Sequence, residues 1–254
     1  MRKEPFFTIL TASLNNGATI RHTLASIKEQ TFQDLEHIVI DGKSSDYTLN
    51  ILKGFEGTYN LSWLSEPDRG ISEALNKGLM KATGNYVLVI QADDRLLDSS
   101  VLERVHTLIK NEASAICSFP VIRDHPRAPK RIAKPIRILW WNRFKFIFHH
   151  QGCFVHRRVF ERIGGFSNRF SINMDYDFFY RALANNCNVR FGDFPVAYMG
   201  GEGIGTNFDF SEKRLEEERL VQFLNERSLF WRGAQMLFRV LYVPYKAYIA
   251  SRLR

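Results

Sequence analysis

The sequence predicts an α/β fold built on a parallel, doubly wound sheet. Strand-like and helix-like segments alternate as far as residue 118, and the strand-like segments are short, apolar and rich in β-branched residues. The clearest of them, residues 86–90 (YVLVI), is an almost unbroken apolar run, which is what a strand covered on both faces requires. This alternation is typical of parallel sheets with helices on both sides.

The elements of this first part follow one another at regular intervals. Apolar residues at helical spacing carry the helix predictions, as in the stripe formed by Ile20, Leu24 and Ile27. Ser99 or Ser100 is placed to cap the fourth helix. Strands are predicted at residues 6–12, 35–40, 61–65 and 86–90, and helices at residues 19–30, 46–55, 71–82 and 99–111.

Beyond residue 118 the pattern changes without an obvious linker. Here we expect strands at residues 152–156, 189–191 and 196–199, and helices at residues 157–163, 175–185 and 211–224. The chain has no internal repeats and no low-complexity tracts. It is therefore predicted to form one continuous domain with a C-terminal appendage.

The composition is that of an ordinary globular protein. The chain has 254 residues, of which 45% are hydrophobic and 24% are charged. Its cysteines, Cys117, Cys153 and Cys187, are odd in number and widely spread, so they predict neither a disulfide framework nor a zinc site. The N-terminal residues lack a secretory pattern, and no apolar run reaches the length of about 18 residues that a spanning helix needs. We therefore expect a reducing, cytoplasmic location.

Positive charge is concentrated in two segments. Residues 123–145 contain eight basic residues and one acid, and residues 229–254 contain five basic residues and no acid, although the net charge of the whole chain is only +8. The same segments hold three of the four tryptophans, Trp140, Trp141 and Trp231. Basic residues interleaved with aromatic ones suit an anionic membrane surface. Nucleic acid and plain solvent are the alternatives for such a face, and we expect a membrane surface and no nucleic acid.

The second of these segments is predicted to be an amphipathic helix that is broken at Pro244. Arg232, Arg239, Lys246 and Arg252 recur at a spacing near seven, which places them roughly on one face of a helix. We expect this tail to attach the protein peripherally to the cytoplasmic face of the cell membrane.

Acidic residues follow the predicted strands where a doubly wound sheet binds its ligands, beyond the carboxyl ends of the strands. Asp41, Asp68, Asp93 and Asp94 occupy those positions. Adjacent carboxylates at the end of a buried strand repel each other unless a cation compensates, and Mg²⁺ or Mn²⁺ binds one or two carboxylates together with phosphate oxygens. Exposure to solvent or capping of the next helix is the plainer explanation of such a pair.

A second acidic group, Asp175 and Asp177, opens a predicted helix. The helix dipole stabilises carboxylates at this end, so capping explains one of them, and a general base for a hydroxyl group is the other possibility. Spacing alone does not choose between the two. No GxGxxG follows the first strand, and the GKS at residues 42–44 has His37 where a P-loop has its first glycine. Kinase-like and dinucleotide-dependent chemistry is therefore disfavoured.

Seven motifs in a fixed order resemble family 2 glycosyltransferases. They extend from about residue 6 to about residue 206. The resemblance is strongest to bacterial enzymes that extend lipid-linked sugars for surface polysaccharides, such as the colanic-acid-type glycosyltransferases. The motifs are TASLNN (11–16), IVIDGKSSDYT (38–48), SEPDRGISEALNKG (65–78), ATGNYVLVIQADD (82–94), HQGCFVHRRVFERIGGF (150–166), MDYDFF (174–179) and GGEG (200–203).

The resemblance implies a GT-A fold, in which a Rossmann-like nucleotide-binding sheet is continuous with an acceptor-binding half. In this chain it implies a GT-A domain at residues 1–225, with a nucleotide-sugar half at 1–118 and an acceptor half at 119–225, followed by the tail at 226–254. It further implies the inverting transfer of a sugar from a nucleotide-sugar, on family grounds a UDP-sugar, to a hydroxyl group of a lipid-linked saccharide. Mg²⁺ or Mn²⁺ is the implied cofactor.

The same resemblance implies roles for individual residues. Asp94 matches the metal-binding acid of the family's DXD-type motif, and Asp175 matches the catalytic base. Asp41, Asp68 and Asp93 match positions that contact the nucleotide-sugar. Together these residues predict metal-assisted departure of the nucleoside diphosphate and removal of a proton from the acceptor hydroxyl.

Other motif positions have less definite roles. Met174 replaces the first acid of the acid pair that usually contains the base. Gly200 and Gly201 match a glycine pair near the acceptor side. His149 and His150 could approach the diphosphate or the metal, although a hydrogen-bonded structural role is the expectation for each.

Three functions compete at this point. An inverting glycosyltransferase requires Asp94 and Asp175 together. A nucleotidyltransferase or other nucleotide-sugar enzyme would need a glycine-rich, basic phosphate loop after the first strand, and residues 11–19 (TASLNNGAT) contain no lysine or arginine. A non-catalytic, membrane-associated protein that binds nucleotide-sugars could lose the acids, whereas this chain retains them. The sequence therefore favours the transferase.

Overall fold

The computed structural model of the chain describes residues 4–111, 114–124, 129–200 and 211–252. Its strands are β1 (Phe7–Ser13), β2 (Leu35–Asp41), β3 (Leu61–Ser65), β4 (Tyr86–Val89), β5 (Arg95–Leu96), β6 (Ile116–Ser118), β7 (Val121–Asp124), β8 (Arg131–Ala133), β9 (Cys153–His156), β10 (Val189–Phe191) and β11 (Ala197–Gly200). Its α-helices are α1 (Ile20–Lys28), α2 (Thr48–Phe55), α3 (Ile71–Leu79), α4 (Val101–Ile109), α5 (Arg157–Ile163), α6 (Met174–Ala184), α7 (Ser211–Asn225) and α8 (Leu229–Arg252). Short 3₁₀ helices lie at Leu139–Arg143 and His150–Gly152.

Seven strands form a central sheet in the order β10-β6-β9-β4-β1-β2-β3. β1 is parallel to β2 and β4, β2 is parallel to β3, and β6 is parallel to β10. The chain thus builds outward from β1 through β2 and β3, and then crosses to the other side of β1 to form β4. This reversal is the doubly wound pattern that the alternation of elements predicts.

β9 departs from the parallel prediction, because it runs antiparallel to both of its neighbours, β4 and β6. The segment before it carries His150, whose ring lies beside Asp94 at the carboxyl end of β4. The chain therefore enters β9 from that edge of the sheet and must run against β4. In this way a strand from beyond residue 118 is inserted into the centre of the sheet.

A second, smaller sheet has the strand order β5-β11-β7-β8. β11 pairs in parallel with β7, and the other two pairings are antiparallel. The sequence predicts only β11 of these strands, and the others contain two, three and four residues. β5 directly follows Asp94 and β11 ends at Gly200, so this sheet lies beside the end of β4.

Apolar side chains cover both faces of the central sheet. All seven residues of β1 are buried. Phe7 and Ile9 pack with α4 on one face, whereas Leu10 packs with α3 and α6 on the other. Each fully buried aliphatic side chain stabilises the fold by about 1.5–3 kcal/mol relative to its exposed state. The sheet is therefore a rigid support for the polar residues at its carboxyl edge.

The C-terminal helix differs from its prediction at Pro244. The predicted break does not occur, because α8 continues through this residue. A proline inside a helix removes the donor to the carbonyl group four residues earlier, here that of Val240. Val240 lies on the exposed side of α8, where water can bond to that carbonyl. Among the described residues, no helix is both long enough and apolar enough to cross a membrane.

The predicted basic face of α8 also differs from the structure. The Arg232 guanidinium donates to the backbone carbonyl of Glu226, and that of Arg239 donates to Oε1 of Gln222, so both arginines interact with α7 and the turn that follows it. The side chains of Lys246 and Arg252 lie outside the described part of the chain. The two arginines that the structure does describe therefore hold α8 against the body of the protein.

His37 is a fully buried histidine in β2. Its ring nitrogens lie 2.9 Å from Oγ1 of Thr11 and 2.7 Å from the hydroxyl oxygen of Tyr59. Burial lowers the pKa of His37 to about 3, so the folded protein keeps this ring neutral.

We predict that the free energy of unfolding falls as the pH drops from about 6.5 towards 3, because the unfolded chain takes up a proton at His37 and the folded chain does not. Between pH 6.5 and 5 this loss amounts to about 2 kcal/mol. Urea unfolding of the wild type and of His37→Gln over this range measures it, with the exposed His22→Gln as the control. Equal pH slopes for the wild type and His37→Gln would contradict the prediction.

Candidate active site

The candidate site lies at the carboxyl ends of β1, β2 and β4, where the direction of winding reverses. Asp41 is the last residue of β2, and Asp93 and Asp94 follow β4 after a short turn. The register of the parallel strands places the ends of β1 and β2 side by side, since Ser13 pairs with Asp41. The acids that the sequence predicts for this edge therefore all belong to one region of the sheet.

Asp41 is completely buried and is bonded within the protein. Its carboxylate accepts hydrogen bonds from the backbone N–H and the hydroxyl of Ser44, and from the hydroxyl of Ser65 at 2.7 Å. Ser44 in turn bonds the backbone N–H of Asn15, which has a positive φ of 52° in the loop after β1. Asp41 thus fixes the loops that surround the predicted nucleotide position, and its direct contact with a nucleotide stays a prediction.

Asp68 lies in the loop between β3 and α3 and closes against the loop after β2. Its Oδ1 accepts the backbone N–H of Gly70. A Cβ atom at Gly42 would lie only 2.8 Å from its Oδ2, so the carboxylate of Asp68 packs where a side chain would otherwise be. A larger residue at position 42 would therefore have to displace the carboxylate of Asp68.

Asp94 is a buried carboxylate, only 3% exposed. Its Oδ1 accepts the backbone N–H of Gly200 at 2.8 Å, and its side chain also bonds with that of Gln151. Burial and the neighbouring charge of Asp93 raise the pKa of Asp94 to about 6, against the opposing effects of His150 and these hydrogen bonds. Asp93 is partly exposed, so the pair presents one buried and one accessible carboxylate.

His150 connects the two acidic groups that the sequence leaves apart. Its Nδ1 lies 3.2 Å from Oδ2 of Asp175, and its Nε2 lies 4.0 Å from Oδ2 of Asp94. Burial opposes protonation of the ring, but the hydrogen bond to Asp175 and the charges of Asp175, Asp94 and Asp93 outweigh it, so the pKa of His150 is raised. Nε2 is buried and has no hydrogen-bond partner among the described residues.

This position of His150 is the main feature of the site that sequence reasoning does not assign. The two adjacent histidines suggest an approach to the diphosphate, but a structural role is the expectation for both. His149 has a pKa lowered to about 4 by burial and by the nearby charges of Arg123 and His150. His150 differs from His149 because it lies between Asp94 and Asp175. Both contacts join residues that are distant in sequence, so no local pattern indicates them.

The structure distinguishes the two acids at the start of α6. Asp177 is buried and bonds both Nε of Arg181 at 2.8 Å and the side-chain amide of Asn225, which is a structural role. Asp175 has an exposed side-chain fraction of 18%, and its Oδ2 faces His150. Of the two, Asp175 is therefore the carboxylate with access to a substrate. Met174, in place of the usual acid, is buried in the core.

The donor atoms at the end of β4 fit a divalent cation that also binds phosphate oxygens. Such cations take one or two carboxylates from the protein and complete their coordination with the substrate and water. Asp94 and Asp93 supply the oxygens, and the unpartnered Nε2 of His150 faces Asp94. Among the described residues, no group of three or more His, Cys, Asp or Glu side chains is arranged to hold a metal ion, so phosphate oxygens would have to supply part of the coordination.

Gly200 belongs to this carboxylate cluster. Its N–H bonds Asp94, and a Cβ atom at this position would lie 2.7 Å from Oδ2 of Asp93 and 2.8 Å from the Asp93 carbonyl oxygen. The predicted glycine pair near the acceptor therefore has its first member at the predicted metal site. Gly201 lies outside the described residues.

A family model described as Glycosyl transferase family 2 matches residues 8–166. The chain belongs to this family. One relative, a PGL/p-HBAD biosynthesis glycosyltransferase of Mycobacterium bovis, is 32% identical over 185 residues, which cover 71% of each protein. The resemblance that the sequence motifs indicate is thereby confirmed, and the protein is a glycosyltransferase.

Solved structures confirm the GT-A fold of this family 2 glycosyltransferase. S. aureus TarS superposes with a TM-score of 0.71 at 17% identity, and the match covers 93% of this chain but 44% of TarS. The shorter TarS 1–349 was solved in complex with UDP-GlcNAc. The mannosyltransferase PcManGT from Pyrobaculum calidifontis, solved with GDP-Man and Mn²⁺, gives a TM-score of 0.70 at 18% identity and covers 99% of this chain and 74% of that one.

We predict that Gly200→Ala destabilises the glycosyltransferase by about 1–3 kcal/mol, because the new methyl group collides with the backbone of Asp93. Gly54→Ala is the matched control, since Gly54 lies in α2 with no atom within 4 Å of the added Cβ, and alanine favours a helix by up to about 1 kcal/mol. Thermal unfolding of the two variants measures the difference. A Gly200→Ala variant as stable as the wild type would contradict the close packing described above.

Proposed function

We propose that this glycosyltransferase moves a sugar, with inversion, from a nucleotide-sugar to a hydroxyl group of a lipid-linked saccharide. The observation that carries the proposal is the line of Asp94, His150 and Asp175, in which one imidazole faces both the predicted metal ligand and the predicted base. An inverting transfer needs these two functions on opposite sides of the reacting carbon, with no covalent intermediate on the protein.

A UDP-sugar is the proposed donor. Support comes from the fold, since TarS 1–349 was solved in complex with UDP-GlcNAc and the match covers 87% of this chain. PcManGT binds GDP-Man, however, so the fold alone accommodates more than one base. The loops that Asp41 and Asp68 hold at the ends of β2 and β3 are where the base and ribose would be recognised.

Asp94, Asp93 and His150 would hold the divalent cation, Mg²⁺ or Mn²⁺. The bound cation would supply positive charge to the diphosphate leaving group. The site favours a bound cation, because the carboxylate of Asp94 is buried and its hydrogen bonds do not fully compensate its negative charge. The raised pKa of Asp94 reflects this. Asp93 adds a second carboxylate at the more accessible side of the pair.

Asp175 is the proposed general base. Its Oδ2 bonds His150 and its Oδ1 accepts the backbone N–H of Tyr176, so the carboxylate has a fixed orientation. In the reaction it would accept the proton of the acceptor hydroxyl as that oxygen bonds to the anomeric carbon and the bond to the diphosphate breaks. A single displacement of this kind inverts the configuration at that carbon.

The lipid-linked saccharide acceptor is proposed on two grounds. The chain resembles enzymes that extend such acceptors, and the curated relative is named for PGL/p-HBAD biosynthesis. The acceptor half also carries the exposed aromatic and basic residues of the segment 123–145, including Trp140.

We predict that Asp94→Asn and Asp175→Asn abolish turnover for different reasons. Purified protein with Mn²⁺ and each common UDP-, GDP- and dTDP-sugar is assayed for released nucleoside diphosphate, with a membrane lipid extract as the source of acceptor. Asp175→Asn should lower kcat by about a hundredfold or more while nucleotide affinity is retained. Asp94→Asn should in addition weaken Mn²⁺-dependent nucleotide binding measured by calorimetry.

Asp193→Asn is the control for this experiment, because Asp193 is exposed and pairs with Arg137 on the surface. Release from one donor that is lost in both site variants and kept in the control supports the transferase. Nucleotide binding without turnover on any donor, in the presence of acceptor, would instead identify a non-catalytic nucleotide-sugar-binding protein.

We predict that His150→Gln lowers the affinity for Mn²⁺ in the presence of UDP about tenfold, because the unpartnered Nε2 is lost from the site. The free Mn²⁺ signal in electron paramagnetic resonance measures this directly, without any need for turnover. His22→Gln, on the exposed side of α1, is the control. An unchanged Mn²⁺ affinity in His150→Gln would remove His150 from the proposed ligands.

A further inference from the structure

Helix α8 is oriented with its polar side towards the protein and its apolar side towards solvent. Gln235 is buried and donates to the Arg143 carbonyl and to the Tyr180 hydroxyl. Arg239 donates to Gln222, as described above. Trp231 and Phe238 complete the inner side by packing against the aromatic residues of the 3₁₀ helix at Leu139–Arg143 and against Phe144.

The outer side of α8 is a continuous stripe of large apolar residues. Five of them, Leu229, Phe230, Met236, Leu237 and Leu241, are at least 70% exposed. Spacings of four and seven residues, as between Leu237 and Leu241 and between Phe230 and Leu237, place them on one face of the helix. We use the name apolar face for this stripe together with its neighbours, and its members are Leu220, Phe223, Leu224, Leu229, Phe230, Met236, Leu237, Val240, Leu241 and Tyr245.

An exposed surface of this kind requires an interaction partner. Single exposed apolar residues are common in soluble proteins, but contiguous apolar patches of several residues mark contact surfaces. The hydrogen bonds of Gln235 and Arg239 fix this orientation of α8, because rotating the helix to bury the apolar face would break them.

The charge around the apolar face decides which partner fits. Among residues 219–245 the structure shows three exposed arginines, Arg219, Arg227 and Arg232, and one acid, Glu226. Glu226 is buried and bonds Arg143 and Tyr180, so it does not offset the positive charge at the surface. A second copy of this chain would bring equal positive charges together. An anionic bilayer would instead attract them.

We propose that the apolar face lies in the interfacial layer of an anionic bilayer and attaches the glycosyltransferase to it. An amphipathic helix in this position buries its apolar side about 5–10 Å into the boundary between headgroups and acyl chains, while cationic side chains meet the lipid phosphates. Trp140 is half-exposed and stacks on Trp231 with ring centroids 6.2 Å apart, which places an indole pair beside this surface.

The apolar face is joined to the candidate active site through α6. Tyr180 of α6 bonds both Glu226 and Gln235, and Asp177 bonds Asn225 at the end of α7. Asp175, the proposed base, lies in the first turn of the same helix. This connection rests on the proposed function, because it assumes that the acceptor is linked to a lipid. An acceptor held in the bilayer would then lie on the same membrane as α8, which is joined to the candidate active site through α6.

Vesicle flotation tests the proposal. Full-length protein is mixed with vesicles of phosphatidylglycerol and phosphatidylcholine in equal parts, or of phosphatidylcholine alone. We expect the wild type to float with the anionic vesicles and to be released by high salt. Leu237→Gln and Leu241→Gln should each weaken binding about tenfold or more, because each removes one apolar side chain from the bilayer.

Met80→Gln is the matched control, since Met80 is 82% exposed on the end of α3 and outside the apolar face. It should float like the wild type. Equal unfolding midpoints for all three variants exclude a folding defect. Failure of the wild type to float, or equal loss of binding in Met80→Gln, would overturn the proposal.

Two further measurements separate this proposal from its alternatives. Light scattering that shows a dimer dissociated by Leu237→Gln would assign the apolar face to self-association and overturn the proposal. Release of nucleoside diphosphate from a donor in solution, without vesicles, should be the same in the wild type and the leucine variants. Flotation without any such release from any donor would count against the proposed function and leave the membrane attachment intact.

Discussion

The burial of Asp94 is the constraint around which the candidate active site is arranged. An ionised carboxylate removed from water costs on the order of several kcal/mol unless other groups replace its hydration. Those groups come from distant parts of the chain: the N–H of Gly200 from the end of β11, and the side chains of Gln151 and His150 from the segment before β9. The surroundings of Asp94 are therefore incomplete without residues from beyond position 118.

Comparison of the buried acids shows what separates a structural carboxylate from a reactive one. The carboxylate of Asp177 bonds the guanidinium of Arg181 and the side-chain amide of Asn225. The carboxylate of Asp41 accepts three hydrogen bonds, from the backbone N–H and the hydroxyl of Ser44 and from the hydroxyl of Ser65. Asp94 has partners too, but it also has the adjacent charge of Asp93 and an imidazole that does not reach bonding distance. The unbalanced charge at Asp94 is what favours a cation there.

Local sequence patterns predict much of the fold, but they do not predict features that depend on contacts between residues distant in sequence. The apolar run of β4 and the acids after it are neighbours in sequence, so strand and site could be inferred together. The antiparallel direction of β9 and the position of His150 depend on how the chain returns to the sheet, which no local pattern records. Arg232 and Arg239 share a helical face, as expected, but only the tertiary structure determines that both guanidinium groups bond to α7 and the turn after it.

The insertion of β9 between β4 and β6 has a consequence for how enzymes of this architecture can diversify. A strand in the middle of a sheet cannot be removed without exposing the unpaired edges of both neighbours. The chain beyond residue 118 is therefore not a module that recombination could exchange as a block. Sequence change that keeps the sheet intact must fall instead within the segments that lead into and out of β9, which leaves the strand itself in place.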